Sequence, residues 1–304
     1  MSEPVSKGNT AAFVAIVGRP SAGKSTLMNA LCGEKVAIVS SVPQTTRNRI
    51  RGIVNRDGGQ LVFIDTPGFH DSTRTFNRHM RGLIEESIRD SEVLLYVVDG
   101  SRPPGDEELS LIELVGKHAN LPRVVALNKI DTASAKRLDQ MRILLSQRLP
   151  DVPVFEISAR KPEGLEALVT ELLRVSPEGE PVYPEDFYTD QPPEFRVSEI
   201  IREKALTGLR EELPHSIYVR VDDMEVRELD SGGQQLWIRA FILVERNSQQ
   251  GMIVGAGGQG IKRIRQSAQK EIASLFPYRI HLDLRVKVDP NWRRNDRLLD
   301  RLVH

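Results

Sequence analysis

The sequence contains a single cysteine, few aromatic residues and no long apolar run. The one thiol, Cys32, cannot form a disulfide within the chain, and its position in a stretch of helical spacing predicts a small core residue. Aromatic residues make up 5% of the chain, and no stretch approaches the roughly 18 consecutive apolar residues that a membrane span requires. The first ten residues lack the apolar core of a secretion signal. We therefore expect a cytoplasmic protein with no transmembrane segment.

The chain also lacks net charge, because 42 basic residues balance 42 acidic ones. This balance excludes a simple polycation, and a hydrophobic content of 39% excludes a disordered chain. The zero total conceals an asymmetry: residues 1–195 carry 23 basic and 27 acidic side chains, whereas residues 196–304 carry 19 and 15. A length of 304 residues favours two domains, of which the second is the more basic.

Apolar runs alternate with segments of helical spacing through the first half of the chain. The runs are typical of buried strands and lie at 11–17, 61–64, 93–98, 124–127 and 154–157. The segments with helical spacing are 24–32, 78–90, 106–118, 134–148 and 164–174. This alternation predicts an α/β domain over residues 1–175, with a doubly wound, mostly parallel sheet. Ligands bind such sheets at the carboxyl ends of the strands.

The pattern changes at residues 176–195, which contain five prolines and several acidic residues. Proline removes backbone donors and disfavours helix before it, so this stretch is predicted to be an extended linker. The elements predicted beyond it are a helix at 197–212, strands near 216–227 and 236–246, a helix opening near 258, a strand at 280–288 and a short C-terminal helix. Residues 196–304 are therefore predicted to form a separate α+β domain.

A phosphate-binding loop is predicted where the first strand meets the first helix, because residues 18–25 match G-x-x-x-x-G-K-[ST]. Glycines allow the backbone N–H groups and the helix N-terminus to surround a phosphate. Lys24 would reach the β- and γ-phosphates, and Ser25 would ligate Mg²⁺. The predicted nucleotide-binding residues of this loop are Gly18, Arg19, Pro20, Ser21, Ala22, Gly23, Lys24, Ser25 and Thr26.

A second nucleotide-binding segment, Asp65-Thr66-Pro67-Gly68, matches D-x-x-G at the end of a predicted strand. The pattern is common by chance, and a plain strand-ending turn is the alternative. Its position at the end of a strand beside the phosphate loop favours a nucleotide-binding role. There Asp65 could hold the Mg²⁺ shell and the Gly68 amide could contact the γ-phosphate.

The sequence Asn-Lys-Ile-Asp at residues 128–131 predicts which base is bound. The carboxylate of Asp131 only accepts hydrogen bonds, so it can take both N1–H and the 2-amino group of guanine, which adenine does not offer. Asn128 would bridge the base and the phosphate loop, and the stem of Lys129 would cover the base. Ser158-Ala159, at the end of the last strand, could place a backbone N–H against the guanine O6.

These four elements in this order predict a GTPase. Two other classes of protein stay open: a P-loop ATPase or small-molecule kinase, which the Asn-Lys-Ile-Asp sequence disfavours, and an RNA-binding scaffold that holds nucleotide without depending on hydrolysis.

The second domain contains a G-x-x-G turn, Gly255-Ala256-Gly257-Gly258, followed by the cations Lys262, Arg263 and Arg265. Residues 262–304 carry 11 basic and 5 acidic side chains, so positive charge is concentrated beside the turn. The arrangement is similar to the KH signature in its type II form, in which such a turn lets an RNA backbone approach closely. The alternative is a structural glycine turn beside a solvated helix face.

Taken together, the motifs resemble the Era family of bacterial GTPases, over nearly the whole chain. The resemblance implies that residues 43–47, Pro-Gln-Thr-Thr-Arg, form switch I, with one of the paired threonines, Thr46, as a Mg²⁺ ligand when GTP is bound. It implies catalytic roles for Lys24, Thr46 and Gly68. It also implies binding near the 3′ end of 16S ribosomal RNA, a role in assembly of the 30S ribosomal subunit, and peripheral contact with the inner face of the cell membrane.

Three features of the sequence depart from the patterns of related proteins. Phe69 stands where Ras-like switches place a water-orienting glutamine, so intrinsic hydrolysis is predicted to be slow and to depend on a partner or RNA. Ser21 stands where Era-like proteins usually carry the asparagine that is linked to a stimulating potassium ion, so the shorter side chain leaves potassium stimulation open. The turn residues Ala256 and Gly257 lack the basic side chain that family members often carry there.

Overall fold

The computed structural model describes residues 9–39, 50–66, 82, 84–207 and 217–290. The chain divides into two compact units that meet in sequence between Asp190 and Gln191. The predicted linker, 176–195, spans this division. No helix in the described ranges is long and apolar enough to cross a membrane.

The first unit contains a six-stranded sheet with the order β2-β3-β1-β4-β5-β6. Its strands are β1 (Thr10–Val17), β2 (Ile50–Arg56), β3 (Gly59–Asp65), β4 (Val93–Asp99), β5 (Arg123–Asn128) and β6 (Val154–Glu156). Strand β2 runs antiparallel to β3, whereas all the other neighbouring pairs are parallel. All seven residues of β4 are buried, as expected for a central strand of a parallel sheet. The predicted mostly parallel α/β sheet is confirmed.

Helices follow the parallel strands. They are α1 (Lys24–Cys32), α2 (84–89), α3 (Asp106–Lys117), α4 (Ala135–Arg148) and α5 (Leu165–Val175). Helix α5 shows why they form, since its buried residues recur at spacings of three and four: Leu165, Leu168, Val169 and Leu172. Helix α1 begins after Gly23 and ends before Gly33, and both glycines have positive φ angles that glycine adopts without strain.

Strand β2 is absent from the strands predicted above, although a turn signal precedes β3. Asp57-Gly58 is a typical two-residue hairpin turn, and Gly58 has a φ angle of 98°. Within β2, a Cβ atom on Gly52 would lie 2.7 Å from the Sγ of Cys32, so the glycine allows α1 to lie directly on the strand. Cys32 is half-buried, and burial raises the pKa of its thiol to about 12.

The proline-rich segment bonds to the sheet edge. The buried Gln60 accepts hydrogen bonds from the N–H groups of Val182 (2.8 Å) and Tyr183 (2.9 Å), and its Nε2 donates to the carbonyl of Tyr183 at 2.8 Å. Further along, the N–H of Ile53 donates to the carbonyl of Tyr188 at 2.9 Å. Residues 182–188 are therefore fixed to strands β2 and β3.

The second unit has three helices and a three-stranded sheet, ordered β7-β8-β9, among its described residues. Its elements are α6 (Pro193–Leu206), β7 (Tyr218–Glu228), β8 (Gln234–Val244), α7 (Asn247–Val254), a 3₁₀ turn (Ala256–Gly258), α8 (Gln259–Ile272) and β9 (Arg279–Val288). Strands β7 and β8 are antiparallel, and β8 and β9 are parallel. Alternate residues of β8 are buried in the core that the helices share.

This unit confirms the predicted α+β class. The elements predicted from the sequence do not include a separate helix at the position of α7. The predicted C-terminal helix and the end of the helix predicted at 197–212 lie outside the described residues.

Candidate nucleotide and RNA sites

The loop between β1 and α1 packs closely against β4 and the end of β5 at two of its glycines. A Cβ atom on Gly18 would lie 2.4 Å from the carbonyl oxygen of Val97, and one on Gly23 would lie 2.3 Å from Nδ2 of Asn128. Gly23 also has a φ angle of 98°, in the region that favours glycine. The sequence motif therefore has a steric basis, because a side chain at either position would collide with β4 or with the end of β5.

Lys24 is buried within this loop. Its Nζ donates hydrogen bonds to the carbonyls of Gly18 at 3.0 Å and Arg19 at 3.2 Å. Burial lowers the pKa of Lys24, whereas the carboxylates of Asp65 and Glu108 act in the opposite direction. The loop thus holds a poorly solvated cation that an arriving phosphate would stabilise.

The two described residues predicted to hold Mg²⁺ lie together. The hydroxyl of Ser25 donates to Oδ2 of Asp65 at 2.6 Å, and Asp65 is fully buried at the carboxyl end of β3. Carboxylate and hydroxyl oxygens suit a hard cation such as Mg²⁺, so these residues fit the predicted metal. The neighbouring Thr66 donates its hydroxyl to the carbonyl of Ile16 at 2.6 Å, which fixes the end of β3 beside β1.

Several predicted residues lie outside the described residues, and their placement is not described. They are Pro67 and Gly68 of the D-x-x-G segment, Phe69 after it, and Thr45 and Thr46 of switch I.

Asn128 connects three loops through one amide group. Its Nδ2 donates to the carbonyl of Ala22 at 2.9 Å, and its Oδ1 accepts from the N–H groups of Lys129 (2.8 Å) and Ala159 (3.0 Å). The bond to Ala22 supplies the phosphate-loop half of the bridge predicted for Asn128, and the contact with the base stays a prediction. The N–H of Ala159, expected to face the guanine O6, donates to Asn128 instead, so an O6 contact would have to share or replace that hydrogen bond.

Lys129 and Asp131 are each held by a partner. Lys129 has a φ angle of 68°, and its Nζ donates to the carbonyl of Ser21 at 2.6 Å and to Oδ2 of Asp99 at 2.7 Å. The hydroxyl of Ser158 donates to Oδ1 of Asp131 at 2.9 Å, which orients the carboxylate expected to read the base. Asp99, the partner of Lys129, is not among the residues predicted from the sequence. The sequence feature that could have indicated it is a single acidic residue at the end of the apolar run of β4.

The G-x-x-G turn joins α7 to α8 through glycines with positive φ angles. These angles are 71° at Gly255, 56° at Gly257 and 77° at Gly258. A Cβ atom on Gly255 would lie 2.9 Å from the backbone N of Gly260, whereas one on Gly257 or Gly258 would meet nothing within 4 Å among the described residues. The turn therefore has one closely packed glycine and an open side formed by the later two, with Ala256 exposed.

The three predicted RNA-binding cations, Lys262, Arg263 and Arg265, are all exposed on α8. At about 100° per residue, Lys262 and Arg265 lie roughly 60° apart around the helix, whereas Arg263 lies roughly 160° from Arg265. Arg263 instead lines a groove of about 780 Å³ between α6, α7 and α8, together with Lys204 and Lys270. The structure thus places Lys262 and Arg265 on one side of α8 and Arg263 on the other.

These sites define a P-loop protein with a guanine-type base loop, joined to a module with a helical glycine turn. The family model described as 50S ribosome-binding GTPase matches residues 13–129, and the KH domain model matches residues 212–293. GTPase Era of Treponema denticola is 46% identical over 294 residues, which cover 96% of this chain and 98% of that protein. GTPase Era of Treponema pallidum is 44% identical over 308 residues, covering 95% and 96%.

A crystal structure of Era in complex with MgGDPNP and nucleotides 1506–1542 of 16S ribosomal RNA has a TM-score of 0.89 and 34% identity to this chain, and covers 97% of this chain and 98% of that one. A single-residue variant of Aquifex aeolicus Era bound to GDP.AlF4- has a TM-score of 0.88 and 34% identity, with coverage of 96% and 98%. The chain belongs to the Era family of GTPases.

Proposed function

We propose that the chain is a GTP-hydrolysing switch that binds the 3′ region of 16S ribosomal RNA and assists assembly of the 30S subunit. The observation that carries the nucleotide half is the set of hydrogen bonds through which Asn128 joins the base loop to the phosphate loop. The RNA half is supported by the open G-x-x-G turn and by the similarity to an Era structure that contains this RNA.

Guanine would be recognised mainly by Asp131. Ser158 already holds one carboxylate oxygen in place, so the carboxylate can accept N1–H and the 2-amino group with little loss of side-chain entropy. Adenine offers neither of these donors, so its binding would leave the carboxylate of Asp131 without these hydrogen bonds. Lys129 would cover the base while its Nζ stays bonded to Ser21 and Asp99.

Phosphate binding would draw on charges that the loop already holds. Lys24 would exchange the carbonyls of Gly18 and Arg19 for the β- and γ-phosphates. Ser25 and Asp65, with Thr46 by family likeness, would hold Mg²⁺, which neutralises charge on the phosphate oxygens. Because Phe69 cannot orient water, we expect hydrolysis to be slow until a partner or RNA supplies what the chain lacks.

RNA would approach the open side of the G-x-x-G turn. Turns of this kind clamp about four nucleotides through the backbone, and Lys262 and Arg265 would add phosphate contacts from the same side of α8. Arg263 would contribute from the groove side. The state of the switch loops would bias how strongly the second unit holds RNA. We place the protein in the cytoplasm, with peripheral contact at the membrane surface.

Competition binding tests the proposal. A fluorescent GDP analogue should be displaced by GTP and left in place by an equal excess of ATP, and equal displacement by ATP would favour a general P-loop NTPase instead. An RNA spanning nucleotides 1506–1542 of 16S ribosomal RNA should bind more tightly than a scrambled RNA of the same length and composition. Equal affinity for the two RNAs would contradict the assigned target.

A further inference from the structure

The phosphate-loop residue Arg19 has an ion-pair network that nucleotide binding alone does not explain. Its Nε lies 3.3 Å from Oε2 of Glu107, and its Nη1 lies 3.4 Å from Oε2 of Glu108. Both acids belong to the first turn of α3, so a cation of the loop is bound to a helix that supplies no predicted nucleotide ligand. Glu107 keeps 30% of its side chain exposed, whereas Glu108 keeps 1%.

Glu108 is an ionisable group placed where an apolar residue would ordinarily lie. Its other carboxylate oxygen, Oε1, accepts a hydrogen bond from the hydroxyl of Tyr96, which is fully buried on β4. Burial raises the pKa of Glu108, Tyr96 and Arg19 act to lower it, and Asp99 adds to the rise. A buried carboxylate costs free energy even when it is paired, so its presence at this position suggests a role other than stability.

The path from Glu108 to the nucleotide site is short. The backbone carbonyl of Arg19 accepts hydrogen bonds from Nζ of Lys24 and from the N–H of Ala22, both at 3.2 Å. Whatever fixes Arg19 therefore also fixes the position of Lys24 and the shape of the loop before it. The neighbouring Gly18 rests on the carbonyl of Val97, one residue beyond Tyr96 on the same strand.

We propose that Glu108 is a positioning residue for nucleotide binding, which acts through Arg19 to hold the phosphate loop in the shape that receives the phosphates. The inference rests on the phosphate-loop site proposed above. It gives a functional role to a buried acid on α3. Glu107 contacts the same arginine from the surface and therefore serves as a matched control.

Glu108 also makes stability depend on pH. Because the pKa of Glu108 is raised in the folded state, the folded protein binds this proton more tightly than the unfolded chain does. The ionised group therefore lowers stability at pH values above its folded pKa, and this effect disappears below its unfolded pKa. Glu108→Gln should remove this pH-dependent loss of stability, and melting temperatures of the variant and the wild type measured across a range of pH check it.

The test compares Glu108→Gln with Glu107→Gln in the full-length chain. We expect Glu108→Gln to weaken binding of a fluorescent GDP analogue about tenfold, as loss of a charged hydrogen-bond partner would. The kcat at saturating GTP should change little, so the effect falls on KM. Glu107→Gln should stay within about twofold of the wild type, since exposed ion pairs contribute little.

Two further measurements distinguish an effect that passes through Arg19 from a general loss of structure in the variant. Arg19→Gln should show a similar loss of GDP affinity, and the double variant should lose no more than either single one, because both act on one connection. In the wild type, GDP affinity should also fall as pH is lowered and Glu108 becomes protonated. This acid-side fall should be absent in Glu108→Gln, although the charged and titratable groups that face position 108 are the same in both proteins, namely Arg19, Lys24, Tyr96, Asp99 and Glu107.

Unchanged GDP affinity in folded Glu108→Gln would overturn the proposal, and so would additive losses in the double variant. Should Glu108→Gln not fold, Arg19→Gln decides alone, because wild-type affinity in that variant would break the proposed path. Failure of the wild type itself to bind GDP would instead contradict the proposed nucleotide site.

Discussion

Single side chains fix the loops of the nucleotide site to one another. The amide of Asn128 bonds to the phosphate loop and to the loop after β6, and Lys129 bonds to both Ser21 and Asp99. Lys129 does so from a left-handed backbone conformation, which is uncommon for a residue with a side chain. The base loop and the phosphate loop are therefore one connected structure, and substitutions at these residues should affect phosphate binding as well as base choice.

Asp131 offers the cleanest test at this scale, because its side-chain hydrogen bond with Ser158 survives replacement by an amide. We expect Asp131→Asn to lower GDP affinity by about 100-fold and to raise affinity for xanthosine diphosphate, since donor and acceptor exchange places. Binding titrations with the two nucleotides measure both effects. Asp151→Asn, at an exposed position, serves as the control. Retained guanine selectivity would remove Asp131 from this role.

Among the elements, the segment after α5 shows how a proline-rich stretch can be ordered. The side chain of Gln60 is fully buried and satisfies backbone groups of Val182 and Tyr183. Arg51 adds a pair with Asp190 at 2.8 Å, and the hydroxyl of Thr189 donates to the carbonyl of Arg51. Strand β2, which follows the residues predicted to form switch I, thus carries the segment that leads to the second unit.

Removing Gln60 should release this segment. We expect Gln60→Ala to speed amide hydrogen exchange at residues 182 and 183 by about tenfold or more, because both N–H groups lose their acceptor. Hydrogen-exchange mass spectrometry of peptides covering 177–188 measures the change. The control is Gln147→Ala on the exposed face of α4, which should leave these peptides unaffected. Exchange that is equally slow in both variants would mean that other contacts hold the segment.

Long, strongly patterned elements could be predicted from the sequence. Strand β4 is an uninterrupted apolar run, and α5 has clear helical spacing, so both were expected close to their observed bounds. Strand β2 was not predicted because it is an edge strand whose apolar pattern is interrupted by Gly52. A glycine is required at this position because α1 lies directly on the strand there. Helix α7 has eight residues with a glycine among them, and such a short helix depends on the core for its stability.

Among the site residues, likewise, some could be predicted from the sequence and others could not. Motif spacing predicts roles for Asn128 and Asp131, because the chemistry proposed for them is tied to a fixed sequence. Asp99 and Glu108 could not be identified in this way, since each acts on a residue far away in the sequence, Lys129 and Arg19, and only the folded sheet brings these pairs together. The separation of Arg263 from Arg265 follows from helical spacing, whereas the groove that Arg263 lines could be seen only in the folded structure.

The turn between α7 and α8 gives a second test among the elements. We expect Gly257→Asp to weaken RNA binding at least about tenfold by placing negative charge where a phosphate should lie. Gly257→Asn is the matched control, because it adds a side chain of the same shape without charge, and both residue types tolerate the left-handed backbone found there. GDP affinity should be equal in the two variants. Equal RNA binding by both would argue against electrostatic contact at Gly257.

Across the whole molecule, the two units have different charges and different chemistry. The first 195 residues are net acidic and carry the nucleotide site, and the remainder is net basic and carries the glycine turn. With Phe69 in place of a water-orienting residue, the first unit should hydrolyse GTP slowly, and RNA on the second should set the timing. A partner-timed switch of this kind requires the two activities to be coupled within one chain.

Single-turnover GTP hydrolysis, measured with and without the 16S ribosomal RNA segment of nucleotides 1506–1542, tests this coupling most directly. We expect slow hydrolysis by the protein alone and faster hydrolysis when the RNA is added, with no acceleration in Gly257→Asp. Hydrolysis at tens per second without RNA, or a slow rate that RNA leaves unchanged, would refute a switch whose timing RNA sets.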